Sequence, residues 1–116
     1  MKFKLIVVLV EDARANAIVE AARTNGATGA TVIPGARGEG LKPVKTFLGL
    51  DLVGQRDMIL LLVEEHLCRA ILERVAEAGQ FDEAPGTGIA FQIDIEDAIG
   101  LGSQIQTISS EIEGEL

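Results

Sequence analysis

The sequence predicts an α+β domain, an antiparallel four-stranded sheet with two helices packed on one face. Three observations carry that expectation. Short apolar, β-branched runs alternate with stretches whose apolar residues recur at helical spacing, in the order β-α-β, loop, β-α-β. Glycine and proline punctuate the boundaries, at Asn25-Gly26, Pro34-Gly35, Gly79 and Pro85-Gly86. No linker, repeat or low-complexity run divides the 116 residues, a length that one core serves without metals or disulfides.

Taken in order, Phe3 to Val10 reads as a strand of nearly continuous apolar character. Glu11-Asp12 offers an N-cap, and Ala15, Ile18, Val19 and Ala22 line one face of a helix that Asn25-Gly26 closes. Ala30 to Ile33 is a short strand stopped by Pro34-Gly35. From Gly35 to Gln55 no period is sustained, and a connection of that length in a small domain is functional or disordered rather than mere linkage. Met58 to Val63 is an unbroken apolar strand. Leu67, Ile71, Val75 and Ala78 form the stripe of a second helix, with Arg69, Glu73 and Glu77 outside it and Gly79 at its end. Phe81 to Gly88 is a loop, and Ile89 to Ile95, with Ile89, Phe91, Ile93 and Ile95 alternating, is the last strand. Beyond Gly102, Ile105, Ile108 and Ile112 suit a helix or an edge strand equally, and the final residues fray. The reading is a single ferredoxin-like βαββαβ domain over 1–116, with a long loop at 35–56, a glycine loop at 81–88 and a C-terminal tail at 103–116.

One conflict is informative. A sheet covered on one face only should alternate apolar and polar residues. The runs Leu5–Val10 and Met58–Val63 are apolar on both faces. Leaving such a face wet would cost many kcal/mol at roughly 25 cal/mol per Å² of apolar surface, so copies of the chain are expected to cover it.

Composition narrows the function classes. A formal net charge of -8, with no Trp or Tyr, opposes binding to nucleic-acid backbones and leaves few stacking platforms. The single cysteine, Cys68, forms no internal disulfide and fits a reducing, cytoplasmic setting. The apolar run at Leu5–Val10 passes directly into Glu11-Asp12 without a cleavage site, so no secretory signal is read, and no run approaches bilayer length. Charge is uneven, however. Between Ala36 and Arg56 stand Arg37, Lys42, Lys45 and Arg56 against Glu39 and Asp51 only. That segment is either an ordinary solvated loop or one that meets an anionic ligand or an acidic partner.

The motif that carries most chemistry is Pro85-Gly86-Thr87-Gly88, running straight into a strand. Two glycines flanking a hydroxyl residue let backbone N–H groups crowd around an anion. The alternative is a plain turn feeding the strand. Gly35-Ala36-Arg37-Gly38-Glu39-Gly40 matches a loose glycine pattern but follows a proline and opens no helix, so it is no dinucleotide fingerprint; a Walker A lysine is also missing. His66, beside Glu64-Glu65, reads as a surface or capping histidine, with no second His or Cys spaced for a transition-metal site. Cys68 faces the core side of its helix and reads as packing. No nucleophile–base pair stands out, so an enzyme is not expected.

The order of elements and these residues resemble the PII signal-transduction proteins, and more closely their divergent PII-like relatives. Gly29-Ala30-Thr31-Val32 matches on the second strand, and Gly86-Thr87-Gly88 stands in place of that family's Gly-Asp-Gly. Phe91 follows at the matching distance, and Ile95-Glu96-Asp97-Ala98 corresponds to its Val-Glu-(Glu/Asp)-Ala segment. The resemblance implies a homotrimer whose sheets line the axis and an adenine nucleotide in the clefts between subunits. It implies a nucleotide site at Thr31, Gly35, Arg37, Gly38, Gly86, Thr87 and Gly88. It also implies a long T-loop that meets a partner, a membrane transporter or a metabolic enzyme. Lys42, Lys45, Phe47, Leu48 and Leu50 are the candidate contacts on that loop; packing back on the trimer explains its apolar residues equally well.

Departures matter as much. The family's lysine after Gly-Asp-Gly is Ile89 here, and its two C-terminal-loop arginines fall on Gly100 and Gly102. Each lost charge-assisted contact is worth roughly 1.5–3 kcal/mol, about tenfold to a hundredfold in affinity. ADP or AMP is therefore favoured over ATP, with Arg37, Lys42, Lys45 or Arg56 as replacement charge. No glutamine stands clearly where the family helps coordinate Mg²⁺ and 2-oxoglutarate, so 2-oxoglutarate sensing and a metal cofactor are not expected. With no tyrosine in the chain, tyrosine nucleotidylation of the loop is impossible. Acylphosphatases share the fold, but they need an arginine-bearing loop where this chain has Val10-Glu11-Asp12. Two alternatives stay open: a trimeric interaction scaffold without nucleotide, and a metal-responsive trimer similar to copper-tolerance proteins.

Overall fold

The computed structural model describes residues 2–36, 55–84 and 86–101. Strand β1 spans Phe3–Glu11, helix α1 Ala15–Thr24, β2 Ala30–Ala36, β3 Arg56–Glu64, α2 Glu65–Gly79 and β4 Gly88–Asp94. The four strands form one sheet in the order β2-β3-β1-β4, and every neighbouring pair is antiparallel. This is the ferredoxin-like plan that the order of apolar runs predicts.

The core lies between the helices and one face of the sheet. Ile6, Val8 and Val10 of β1 and Ile59, Leu61 and Val63 of β3 point into it. Ala15, Ile18 and Ala22 of α1 and Cys68, Ile71 and Val75 of α2 meet them there. In α2 the fully buried line runs through Cys68, Ile71 and Val75, while Leu67 and Ala78, expected on the stripe, flank it half-buried.

The opposite face is apolar too. Register places Leu62, Leu5 and Ile93 in one row, Leu60, Val7 and Phe91 in the next, and Met58, Leu9 and Ile89 in the third. Neither helix covers these side chains: Ile89 is 55% exposed, Ile93 46% and Phe91 41%. Monomeric soluble proteins rarely leave so continuous an apolar surface in water.

Three local expectations need correction. Strand β2 does not stop at Pro34-Gly35 but continues to Ala36, with a register shift between Ile33 and Ala36. Proline is tolerated because β2 is an edge strand, whose outward N–H positions need no ladder partner. Gly35, at φ +80°, supplies the bend. Glu11-Asp12 does not cap α1: a 3₁₀ turn at Asp12–Arg14 intervenes, and no side chain caps either element. Gly79 lies inside the last turn of α2, and the left-handed residue that closes the helix is Gln80, at φ +54°.

Candidate functional site

One end of the sheet collects the features the sequence singles out. Ala36 of β2, Arg56 of β3 and Glu11 of β1 lie side by side in register, and Gly88 of β4 opposes Val10. The two ends of the long loop and the glycine turn therefore open on the same rim. Two contacts tie them together. Arg56 Nη2 donates to the carbonyl of Gly86 at 2.7 Å, and the Asp12 N–H donates to the carbonyl of Gln55 at 3.4 Å.

The glycine turn is built from the inside out. Thr87 is 5% exposed, and its hydroxyl sits between the carbonyls of Ala84 at 2.9 Å and Gln80 at 3.3 Å. Its N–H donates to the Ala84 carbonyl, and its own carbonyl accepts from the Glu11 N–H. The threonine thus closes the loop on itself rather than facing outward. Gly88 is a glycine for packing reasons, because a Cβ there would stand 2.7 Å from the Leu9 carbonyl and inside contact distance of the Phe81 ring. Gly86 differs from both. It is exposed at φ +81°, no atom lies where its Cβ would be, and its N–H donates to none of the described residues. Of the three, Gly86 is the one whose backbone is open to an incoming anion.

The remaining expected site residues divide. Gly35 lies at the same rim on the far edge of the sheet, and Thr31 lies further along β2, opposite Leu60. With β3 and β1 between them, the β2 and β4 edges stand roughly 14 Å apart at about 4.8 Å per strand. Within one protomer, then, Thr31 and Gly35 do not meet Gly86. Arg37, Gly38, Lys42, Lys45, Phe47, Leu48, Leu50 and Gly102 lie outside the described residues. Gly100 is exposed at φ +98°.

Two features escape sequence reading. Arg14, from the 3₁₀ turn, reaches the loop's other end, donating to the Gly79 carbonyl at 3.4 Å and to Gln80 Oε1 at 3.2 Å. Glu64 is buried at the β3–α2 junction, where its carboxylate accepts from the His66 N–H at 2.8 Å and lies 2.6 Å from His66 Nδ1. Those contacts raise the His66 pKa above its ordinary 6.5, through the hydrogen bond first and the negative charge second. Potential ligand atoms of Glu64, Glu65 and His66 lie within 4.8 Å of one another. Both oxygens of Glu64 are nonetheless engaged, Oε2 in capping α2 and Oε1 with the His66 ring, which accounts for the cluster. Cys68 is buried, its thiol donates to Gln92 Oε1 at 2.7 Å, and burial raises its pKa.

A ferredoxin-like domain with an uncovered apolar sheet face, a long loop and a glycine turn at one rim belongs to a recognisable class. The family model of nitrogen regulatory protein P-II matches residues 3–104, and the chain belongs to that family. Among solved structures it is similar to a protein from Thermus thermophilus described as a candidate PII-like signaling protein. The identity is 28%, the TM-score 0.56, and the match covers 82% of this chain and 91% of that one. No curated protein matches the sequence.

Proposed function

We propose that this chain is a cytoplasmic PII-like regulator that works as a homotrimer and binds an adenine nucleotide in clefts between subunits. ADP or AMP is favoured over ATP. The observation that carries the reading is the split of the site. Thr31 and Gly35 on one sheet edge and Gly86 on the other can share a ligand only if two copies bring opposite edges together. The apolar face of Met58, Leu60, Leu62, Leu5, Val7, Leu9, Ile89, Phe91 and Ile93 supplies the surface on which copies would associate. Among the described residues, no helix is long and apolar enough to cross a membrane. The partner in this reading is a transporter or metabolic enzyme, met through the loop at 35–56.

The mechanism is a population shift. Ligand phosphate at the glycine turn favours one arrangement of the loop ends. Arg56 ties one of those ends to the turn, and Gln55 is held beside it by Asp12, so occupancy changes which conformer meets the partner. Calorimetric titration of the protein with AMP, ADP and ATP, alongside light scattering, tests the reading. Saturable binding at one nucleotide per subunit of a trimer supports it; a monomer, or no binding of any of the three, overturns it.

One observation favours a second reading, the trimeric scaffold without nucleotide. Thr87 is turned inward and Gly88 is accounted for by packing, so the turn has a complete structural explanation. Nucleotide-dependent protection of the long loop against proteolysis would remove that alternative.

A further inference from the structure

Two described arginines reach the glycine loop, and only one of them is paired with a carboxylate. Arg14 is engaged with Gly79, with Gln80 and, at 3.7 Å, with Glu11. Lys4, on the opposite end of the sheet, pairs with Asp94 at 3.3 Å. Arg56 has no carboxylate partner among the described residues, and a single neutral carbonyl, that of Gly86, holds its guanidinium at the turn. The side chain at position 89 is an isoleucine on the open sheet face, so it brings no charge to the same place.

We infer that Arg56 is the phosphate-binding cation of the Gly86 turn, an inference that rests on the nucleotide reading above. A guanidinium is planar and carries five N–H donors in a fixed fork. With Nη2 on the Gly86 carbonyl, further donors remain on the same rim to take phosphate oxygens, next to an exposed Gly86 N–H that has no described partner. The carbonyl holds the side chain in place before ligand arrives, which lowers the ordering cost of binding. Glu11 lies opposite Arg56 in register and Asp57 follows it in sequence, so nearby carboxylates offset the guanidinium's charge. One guanidinium in that setting suits a mono- or diphosphate better than a triphosphate.

Titration of the full chain and its Arg56→Gln and Arg56→Ala variants with adenosine, AMP and ADP tests this. Glutamine can keep a hydrogen bond to Gly86 while removing the charge, and it safeguards the test if alanine unsettles the fold. The expected result is a loss of about tenfold to a hundredfold in ADP affinity in both variants, a smaller loss for AMP, and unchanged adenosine binding. Variants that bind ADP as tightly as wild type overturn the inference and leave the nucleotide reading intact. An equal loss for adenosine and ADP also overturns it, since Arg56 would then shape the pocket without meeting phosphate. Wild-type protein that takes up none of the three overturns the nucleotide reading, and this inference with it.

Discussion

Phe81 stands between two glycines that are apart in sequence and adjacent in space. A Cβ at Gly79 would collide with its ring, and one at Gly88 would meet both the ring and the Leu9 carbonyl. The two positions therefore differ in how they can be relieved. Gly79→Ala and Gly88→Ala are each expected to lower stability by about 1–3 kcal/mol, the usual range for overpacking. Combining either with Phe81→Leu should recover most of the Gly79 loss and little of the Gly88 loss, because the Leu9 backbone cannot move aside. Urea denaturation of the two double-mutant cycles reads this directly. Thr87 makes a similar point about chemistry. Thr87→Val keeps the shape but removes the hydroxyl donor to the Ala84 and Gln80 carbonyls, which keep their backbone N–H donors, so the cost is about 0.5–1.5 kcal/mol. Thr87→Ser should be nearly silent. His66 adds a pH dependence whose sign follows from its raised pKa. The folded state favours the protonated ring, so the Glu64–His66 contact contributes fully below the ordinary pKa of 6.5. The contribution is lost as pH rises through the folded value. Unfolding free energies measured from about pH 5.5 to about pH 8.5 should show a downward slope that His66→Asn abolishes.

At the scale of elements, strand β2 and helix α2 show where local signals and tertiary setting part company. Pro34-Gly35 is a strong local stop signal, yet on an edge strand it only introduces a bulge. Glycine is common just past a helix end, which makes Gly79 a natural terminator, but here its role is to admit Phe81. The left-handed position falls on Gln80, whose Cβ meets a steric penalty there. Gln80→Gly should therefore stabilise the protein by about 0.5–1 kcal/mol despite the loss of an exposed hydrogen bond from Arg14, seen as a higher thermal midpoint. The helical stripes themselves are legible in the sequence, since burial at Ile18, Ala22, Ile71 and Val75 follows the 3.6-residue period.

For the molecule as a whole, the deciding feature is a sheet with two apolar faces and helices on only one. Leu60 lies at the middle of the open face, between Val7 and Thr31 in register. Leu60→Glu would place a charge at the centre of any interface formed there while leaving the helix-side core of Ile59 and Leu61 untouched. The expected outcome is a folded monomer by light scattering and circular dichroism; on the proposed nucleotide reading, nucleotide affinity is lost with it, because that reading needs two copies to close the site. A variant that stays oligomeric would move the interface elsewhere.

Periodicity and composition alone determined the order of elements, the double unit, the buried stripes and the apolar excess of β1 and β3, because each follows from neighbours within a turn or two of chain. They also marked the glycine turn and the long loop as the candidate functional segments. Only the folded arrangement decided that Thr87 faces inward, that Gly86 is the exposed member of its turn, that β2 outlasts its proline, and that Arg56 reaches Gly86 across 30 positions of sequence. Those facts depend on which strand is an edge and which rim two distant segments share. Such contacts arise between residues remote in the chain, and no local pattern encodes them.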